Sequence, residues 1–464
     1  ANKITLDEYK LACALPSSVL DDVLTKDLHH LKTFLGSENF TRREDCWPDG
    51  VFNNHVVAND VSQFNSTRVA AIYQVRSIED IQDIVKNANG LQISTRGTKH
   101  SMGGQSISQH GIIIDMQYIN HTIYNKETKT VQVGTGATWA DLIKHLNTFG
   151  KSPRTLQSYC SFSIGGTLSV NGHGITTDHT VSESVVSFRL IRPSGEIVQC
   201  SRDSEDEEVK ELFHLCLGGY GLFGIIYDVV LKTDDNNLLF MDTSTTEIKQ
   251  FPALYESIRA NPDVVMKLAR IDTTTFKTID VFVFTKDCDT PTVSRLPVKP
   301  KEMGKVSGMI YKWIAAPLRE VRFALERNLG VALDWGDVSD RNDMLYESAA
   351  PLARLYSPLV MVDDTFILQE YFIPKENFIP FMNGAKDIVV NKINKESMLT
   401  LMNITIRFVE KDEDTFLPYA NHKNGMFAFV LYYRLRRSKE ADELLASYHE
   451  MLSDLTLRES GTFY

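Results

Sequence analysis

Residues Ile93–Ser106, ISTRGTKHSMGGQS, set three glycines, several hydroxyl groups, two cations and one histidine between two apolar runs. Consecutive main-chain N–H groups in such a segment form a concave nest that binds a phosphate, with Arg96 and Lys99 close by to share the charge. The flanks separate this loop from the common phosphate-binding turns. A P-loop or a Rossmann turn leads from a strand into a helix and uses the helix end as the anion site. Here the following run, GIIIDM, is short, β-branched and bounded by Gly111 and Asp115, so the loop is expected to join strand to strand as a hairpin-like cradle. Gly134-Thr135-Gly136 does precede a helical pattern, but Trp139 stands where a third glycine is needed, which argues against a nicotinamide site. His100, in the middle of the loop, is the residue whose presence phosphate binding alone does not explain.

The elements that must position this loop are legible around it. RVAAIYQV reads as a strand. SIEDIQDIVKNANG reads as a helix, opened by a capping box of Ser77 and Asp80, with Ile78, Ile81, Val85 and Ala88 on one face and Asn89-Gly90 as its stop. KTVQVGTG is a further strand and TWADLIKHLNTFG a further helix closed by glycine. The acidic run SEDEEVKELF reads as the solvated first turn of a helix, where carboxylates suit the dipole. From about residue 235 to 435, TIDVFVFT, TFILQEYFIP, MLTLMNITIRFVE and MFAFVLYYRL alternate with helical pieces, as in an antiparallel sheet with helices on one side. SKEADELLASYHEMLSDL is a closing helix, and the first fifty residues read as a helical preface ending in a turn at WPDG.

With 464 residues the chain exceeds one ordinary core and suggests two domains. A net charge of -11 argues against nucleic acid as a partner, and no apolar run is long enough for a membrane span. The expected partner is a small molecule. The six cysteines are scattered, none in a C-x-x-C pair, and the pair His29-His30 lacks matching ligands, so no metal is expected. No basic-plus-apolar leader is seen, and the Asn-x-Ser/Thr triplets are about as frequent as chance gives, so the compartment stays open.

The pattern RG-x-x-HS-x-x-GQ, carried by Arg96, Gly97, Thr98, Lys99, His100, Ser101 and Gln105 and followed by Ser106, resembles the pyrophosphate loop of FAD-linked oxidases of the vanillyl-alcohol oxidase/p-cresol methylhydroxylase (PCMH) type. A second block, SIGGTLSVNGHG, resembles the flavin-contacting segment of that family and offers Ser163, Gly165, Gly166, Ser169, Gly172 and Gly174. A third, LGGYGLFGII, is similar to the segment whose last isoleucine, here Ile226, meets the adenine end. The three blocks stand in family order over about residues 50–235. The resemblance implies FAD as cofactor, bonded covalently through His100, which would hold the flavin and make it a stronger oxidant. The other reading of His100 is a loop histidine that hydrogen-bonds a phosphate. Cys160 lies one residue from the position at which some relatives add a second flavin bond, so it is read as a small buried thiol.

HSMGGQ and GGTLS look like cytokinin dehydrogenases, but the aspartate base those enzymes carry falls here on Ser158, which cannot take an amine proton as a carboxylate does. GHG at Gly172–Gly174, EYFIP at Glu370–Pro374 and Thr405-Ile406-Arg407 resemble elements of the aldonolactone and alditol oxidases, with threonine where those have glutamate. The resemblance makes Arg407 a catalytic candidate, a cation able to stabilise reduced flavin or fix a substrate hydroxyl or carboxylate; the alternative is a sheet arginine in a salt bridge. Glu370 is read as substrate-facing or as a solvent-side strand residue, and His173 as flavin-facing or as a packed polar group. Gly172, having no side chain, would leave room for O2. Relatives continue past a segment like Gly461–Tyr464, so a less closed pocket is expected here.

The expectation is an α+β flavoprotein. Residues 1–235 form a two-subdomain FAD-binding domain of PCMH type (core about 55–235), and 236–440 a substrate or cap domain with an antiparallel sheet flanked by helices. A C-terminal helix, 441–464, returns to the FAD domain. The expected activity is oxidation of a CH–OH group of a sugar, alditol or aldonolactone-like substrate, with O2 or another acceptor. Three alternatives stand beside it: oxidation of a CH–NH group, as in cytokinin dehydrogenases, an NADPH-using reductase of the same fold, against which the resemblance to His-linked oxidases argues, and a non-catalytic flavin-fold protein that binds a partner.

Overall fold

The computed structural model describes residues 50–52, 55–62, 64–287, 290–296, 338–347 and 364–464. The expected helical preface, His29-His30, Cys13, Cys46 and Cys288 lie outside the described residues. Among the described residues no helix is long and apolar enough to cross a membrane. The chain divides into two compact units, one running to Ile119 and taking in Pro193–Glu196, the other formed by Asn120–Arg192 and Ile197–Tyr464.

In the first unit, β1 (Gly50–Phe52), β2 (His55–Ala58) and β3 (Thr67–Val69) form an antiparallel sheet. β4 (Ala71–Gln74) leads through helix α1 (Ile78–Lys86) to β5 (Ile93–Arg96), and β6 (Ile112–Asp115) inserts between β4 and β5. The run RVAAIYQV, expected as one strand, is therefore two strands in two sheets, broken at Ala70, whose N–H donates to the Gly111 carbonyl at 2.9 Å. The capping box of α1 forms as read, with Ser77 and Asp80 bonding each other's backbone. Asn89 and Gly90 take positive φ (51° and 82°) after the helix.

One expectation is corrected here. β5 and β6 are parallel, Ile93 opposite Ile112 and Arg96 opposite Asp115, so the glycine-rich segment is a crossover and not a hairpin. The reason lies in β6 itself: Ile112, Ile113, Ile114 and Asp115 are all buried, which suits the centre of a parallel sheet, and reaching that place requires the chain to travel back along β5. No helix interrupts the crossover.

The second unit opens with a sheet built from β7 (Thr122–Asn125), β8 (Thr130–Gly134), β9 (Lys151–Pro153), β10 (Val185–Ile191), β11 (Ile197–Ser201) and β12 (Ile225–Asp235). Helices α2 (Trp139–Asn147), α3 (Ile164–Ser169) and α4 (Glu207–Cys216) accompany it. Trp139, Leu142, Ile143 and Leu146 of α2 are buried in a common core with Phe188 and Phe213. The acidic run begins α4 as expected, with Asp206 accepting from the amides of Glu208 and Val209.

An eight-stranded antiparallel sheet follows. Its elements in chain order are β13 (Leu238–Glu247), α5 (Phe251–Arg259), β14 (Val264–Ile271), β15 (Thr278–Lys286), β16 (Val338–Asp340), α6 (Arg341–Glu347), β17 (Asp364–Pro374), α7 (Phe378–Asn391), β18 (Leu399–Val409), β19 (Met426–Arg436), α8 (Lys439–Arg458) and β20 (Thr462–Phe463). The strand order is β16-β13-β15-β14-β18-β19-β17-β20. Alternation splits the sheet into two faces. Ile404, Ile406 and Phe408 of β18, with Phe427 and Phe429 of β19, pack against Phe251 and Tyr255 of α5 and Phe378 and Phe381 of α7. The opposite face carries Asn403, Thr405 and Arg407 of β18, Tyr432 of β19 and Glu370 of β17.

Two expected boundaries differ from this arrangement. The division between compact units falls at Ile119, not near residue 235, because β12 runs into β13 through the buried pair Asn236-Asn237. Asn236 donates to Thr292 O (2.9 Å) and Ser294 Oγ (3.0 Å) and accepts from the Asn342 amide (2.8 Å), while Asn342 donates to Asn147 Oδ1 (3.0 Å). Buried amide groups bonded on both sides in this way join α2, α6 and the start of β13. The closing helix α8, expected on the FAD domain, instead lies on α7 and β17, where Gly384 leaves the space that Leu455 fills.

Asn236→Ala strands several buried donors and acceptors at once. It should lower unfolding stability by about 2–4 kcal/mol in chemical denaturation, well beyond a surface Asn→Ala change.

Candidate active site

The expected site residues fall in both units, and each unit is described by itself. In the first, Arg96 ends β5 with its Nε donating to Asp115 Oδ2 at 3.1 Å, both side chains buried, which ties the loop's start to β6. A neighbour the sequence reading missed holds the rest. Asp60 accepts from Gly104 N (2.8 Å), Asn65 Nδ2 (2.8 Å) and Ser62 N (3.0 Å), and Lys99 O accepts from Val61 N (3.0 Å). Burial pushes the Asp60 carboxyl up, and these donors pull it part of the way back. Lys99 and Gly104 take positive φ (62° and 74°), which turns successive amides to one side. The amides of Gly97, Thr98, Ser101, Gln105 and Ser106 donate to no group among the described residues. Firmly anchored carbonyls and uncommitted amides are what a pyrophosphate needs. His100 is half-buried, and burial pulls its imidazole down to about 4, so it is neutral near pH 7.

In the second unit, the block SIGGTLSVNGHG is helix α3 followed by a tight return. Ser163 caps α3 through Gly166 N (3.3 Å), and Ser169 Oγ donates to Gly165 O (2.9 Å), so both hydroxyls are engaged locally. Gly165 donates to Thr135 O at 2.8 Å, and Ile226, half-buried on β12, receives the Thr135 hydroxyl on its carbonyl at 2.7 Å. A Cβ on Gly174 would lie 1.7 Å from Leu156 O, so glycine there is demanded by a backbone crossing. A Cβ on Gly172 would meet Gln157 Nε2 at 2.0 Å. The reading of Gly172 as open room for O2 is thereby corrected: the Gln157 amide occupies that space.

The return places His173 against the polar face of the eight-stranded sheet. His173 Nε2–H donates to Glu370 Oε1 at 2.7 Å, and the Tyr464 hydroxyl donates to Glu370 Oε2 at 2.9 Å. His173 is 3% and Glu370 5% exposed, so the solvent-side reading of Glu370 is wrong. Burial alone pushes this carboxyl up, but His173, with Arg407 and Tyr464, outweighs it and holds the group below the ordinary glutamate range. His173 Nδ1 is buried with no partner among the described residues. Tyr419 packs beside the ring and donates to Asn171 O at 2.6 Å, while Asn171 Nδ2 donates to Asp412 Oδ2 at 2.8 Å. These bonds fix the turn that carries His173.

Arg407 donates from Nη2 to Ser158 Oγ at 2.7 Å and makes no salt bridge among the described residues, so the salt-bridge reading is set aside. Ser158 is the position at which the resemblance places a base, and its oxygen is committed to the guanidinium. Thr405, Val430 and Glu370 form one cross-strand row, so the carboxylate absent at Thr405 is present two strands away on the same face. Cys160 is half-buried and donates to Tyr346 O at 3.3 Å. Tyr464 and Asp60 carried no local signal: the first reaches Glu370 because Phe463 pairs with Tyr371, and the second acts across the unit on a loop far along the chain.

Comparison with known proteins agrees with the loop's chemistry. Residues 69–201 match the family model described as an FAD binding domain. Cytokinin dehydrogenase 2 of Arabidopsis thaliana is 31% identical over 175 residues, covering 36% of this chain and 34% of the relative. Cytokinin dehydrogenase 3 of Oryza sativa subsp. japonica is 35% identical over 143 residues, 29% and 26% of the two chains. An uncharacterized oxidoreductase of a fasciation locus in Rhodococcoides fascians is 29% identical over 161 residues, 34% and 36% of the two chains. The matching stretch spans about a third of these curated relatives. The chain carries an FAD-binding domain over residues 69–201, FAD is its cofactor, and over that region it resembles the cytokinin dehydrogenases.

Proposed function

We propose that the protein is an FAD-dependent oxidoreductase that oxidises a CH–OH group of a small polar substrate and passes the electrons to O2 or another acceptor. Bound FAD would supply the hydride acceptor. Gly97, Thr98, Lys99, His100, Ser101, Gln105 and Ser106 are the residues that would hold its pyrophosphate, and Ser163, Gly165, Gly166, Ser169, Gly172, Gly174 and Ile226 are the others that the resemblance assigns to it. Arg96 supports the loop from Asp115.

The observation that carries the reading is the buried His173–Glu370 pair. Oxidising an alcohol requires a group that receives the hydroxyl proton. Glu370 accepts the Nε2 proton, and in the neutral ring Nδ1 carries a lone pair with no other use among the described residues. Arg407, on the same face, supplies positive charge without a carboxylate of its own. The second reading, oxidation of a CH–NH group, is favoured by the names of the relatives; Ser158, whose oxygen receives Arg407, speaks against it.

The neutral imidazole of His100 supports a covalent bond to the flavin, because only the unprotonated ring has a lone pair to form one.

Anaerobic addition of alditols, sugars, aldonolactones and isopentenyl adenine to the purified yellow protein tests the activity. Bleaching by a CH–OH donor is expected; bleaching by the adenine alone selects the second reading, and none at all selects a non-catalytic flavin-fold protein. Acid precipitation tests the linkage: colour should sediment with the wild-type protein and stay in solution for His100→Ala. Colour in the wild-type supernatant would refute the bond while leaving FAD binding intact.

A further inference from the structure

We infer that Arg270 and Arg407 together form a carboxylate anchor, so that the substrate of the proposed oxidation is a hydroxy acid. The inference rests on the oxidoreductase reading for the word substrate, and on geometry of its own for the anchor.

Arg270 of β14 stands opposite Thr405, on the face of the sheet that bears Arg407 and Glu370. Across that row Arg270 and Glu370 are separated by three strand spacings, about 14 Å, with Arg407 between them. Arg270 makes no hydrogen bond and no ion pair among the described residues; its guanidinium lies 5.6 Å from the centre of the Phe282 ring. Its Nε and that of Arg407 are both buried and without an acceptor. Arg407 lies two residues along β18 from Thr405, so the two arginines stand on neighbouring strands of one face. Burial raises the half-buried Tyr159 hydroxyl, and both arginines lower it.

The carboxylates nearby make no ion pair with either arginine among the described residues. Glu370 is committed to His173 and Tyr464. Asp280, directly opposite Arg270 on β15, receives the Thr245 hydroxyl on Oδ1 at 2.6 Å. Two partly buried cations with unused in-plane donors are costly unless an anion meets them, and a planar carboxylate matches the guanidinium fork. An acid held there extends the rest of its skeleton along the face toward His173.

The test is calorimetric titration of the FAD-loaded protein with 2-hydroxybutyrate and gluconate, each against its uncharged amide. The acids should bind about ten- to a hundredfold more tightly than the amides. Arg270→Gln should bring each pair within about twofold, and Arg270→Lys should restore part of the preference. Equal binding of acid and amide by the wild-type protein, no binding of either acid, or a preference that survives in a folded, yellow Arg270→Gln protein overturns the anchor. Bleaching by neutral alcohols without any acid preference removes the anchor and leaves the oxidoreductase reading. Acid binding that depends on Arg270, in a protein no donor bleaches, does the reverse.

Discussion

A carboxylate buried on a sheet cannot remain charged alone. Taking an ion out of water costs several kcal/mol unless partners meet it with good geometry. Glu370 is met on both oxygens, by His173 and by Tyr464, and Arg407 adds its field from two strands away. Each partner comes from a different part of the chain: the return after α3, the extreme C-terminus and the centre of β18. The two contacts that make Glu370 tolerable therefore also fix the α3 return and the segment after β20 on the sheet within the second unit.

The two faces of the eight-stranded sheet divide the work. The helix side is aromatic and aliphatic, with Phe251, Phe378, Phe381, Phe427 and Phe429 in mutual contact, and it supplies the burial that holds the unit together. That side tolerates the cost of the other, which carries half-buried Arg270 and Arg407 and the buried Glu370 with His173 against it. Charged groups crowded on an otherwise stable scaffold are poor for folding and good for holding a polar substrate. In the first unit the same division recurs on a smaller scale: β6 is buried throughout, while the crossover after β5 leaves the amides of Gly97, Thr98, Ser101, Gln105 and Ser106 without an acceptor among the described residues.

Local chemistry was legible where it is local. Ser77 with Asp80 caps its helix as read, and Thr138 with Asp141 and Asp206 cap theirs in the same local way, since a cap involves residues within one turn. The four long strands between residues 235 and 435 carry their own β-branched and aromatic signature. The glycine-rich loop was recognised by composition, but its direction was misread: the unbroken apolar run Ile112–Ile114 suits a strand buried on both faces in a parallel sheet, not one arm of a hairpin. Glu370 was ambiguous for a related reason: alternation along TFILQEYFIP says which residues share a face, not which face meets the α3 return. Arg270, Tyr464 and Asp60 act through partners far off in sequence, and no spacing announces them. Gly172 and Gly174 were seen as glycines that matter, while Gln157 and Leu156, the groups that require them, were not.

The charge on Glu370 is open to direct observation. Because its carboxyl is held below the ordinary glutamate range, its interactions stabilise the fold above that range and are lost as pH falls through the lowered folded-state value. The infrared difference spectrum between the wild-type protein and Glu370→Gln, followed from neutral pH downward, reads the ionisation itself. An ionised carboxylate band at neutral pH, persisting through the range where free glutamate takes up its proton, is the expected result. A protonated C=O band at neutral pH would contradict the account, for it would leave His173 without the acceptor that frees its other nitrogen.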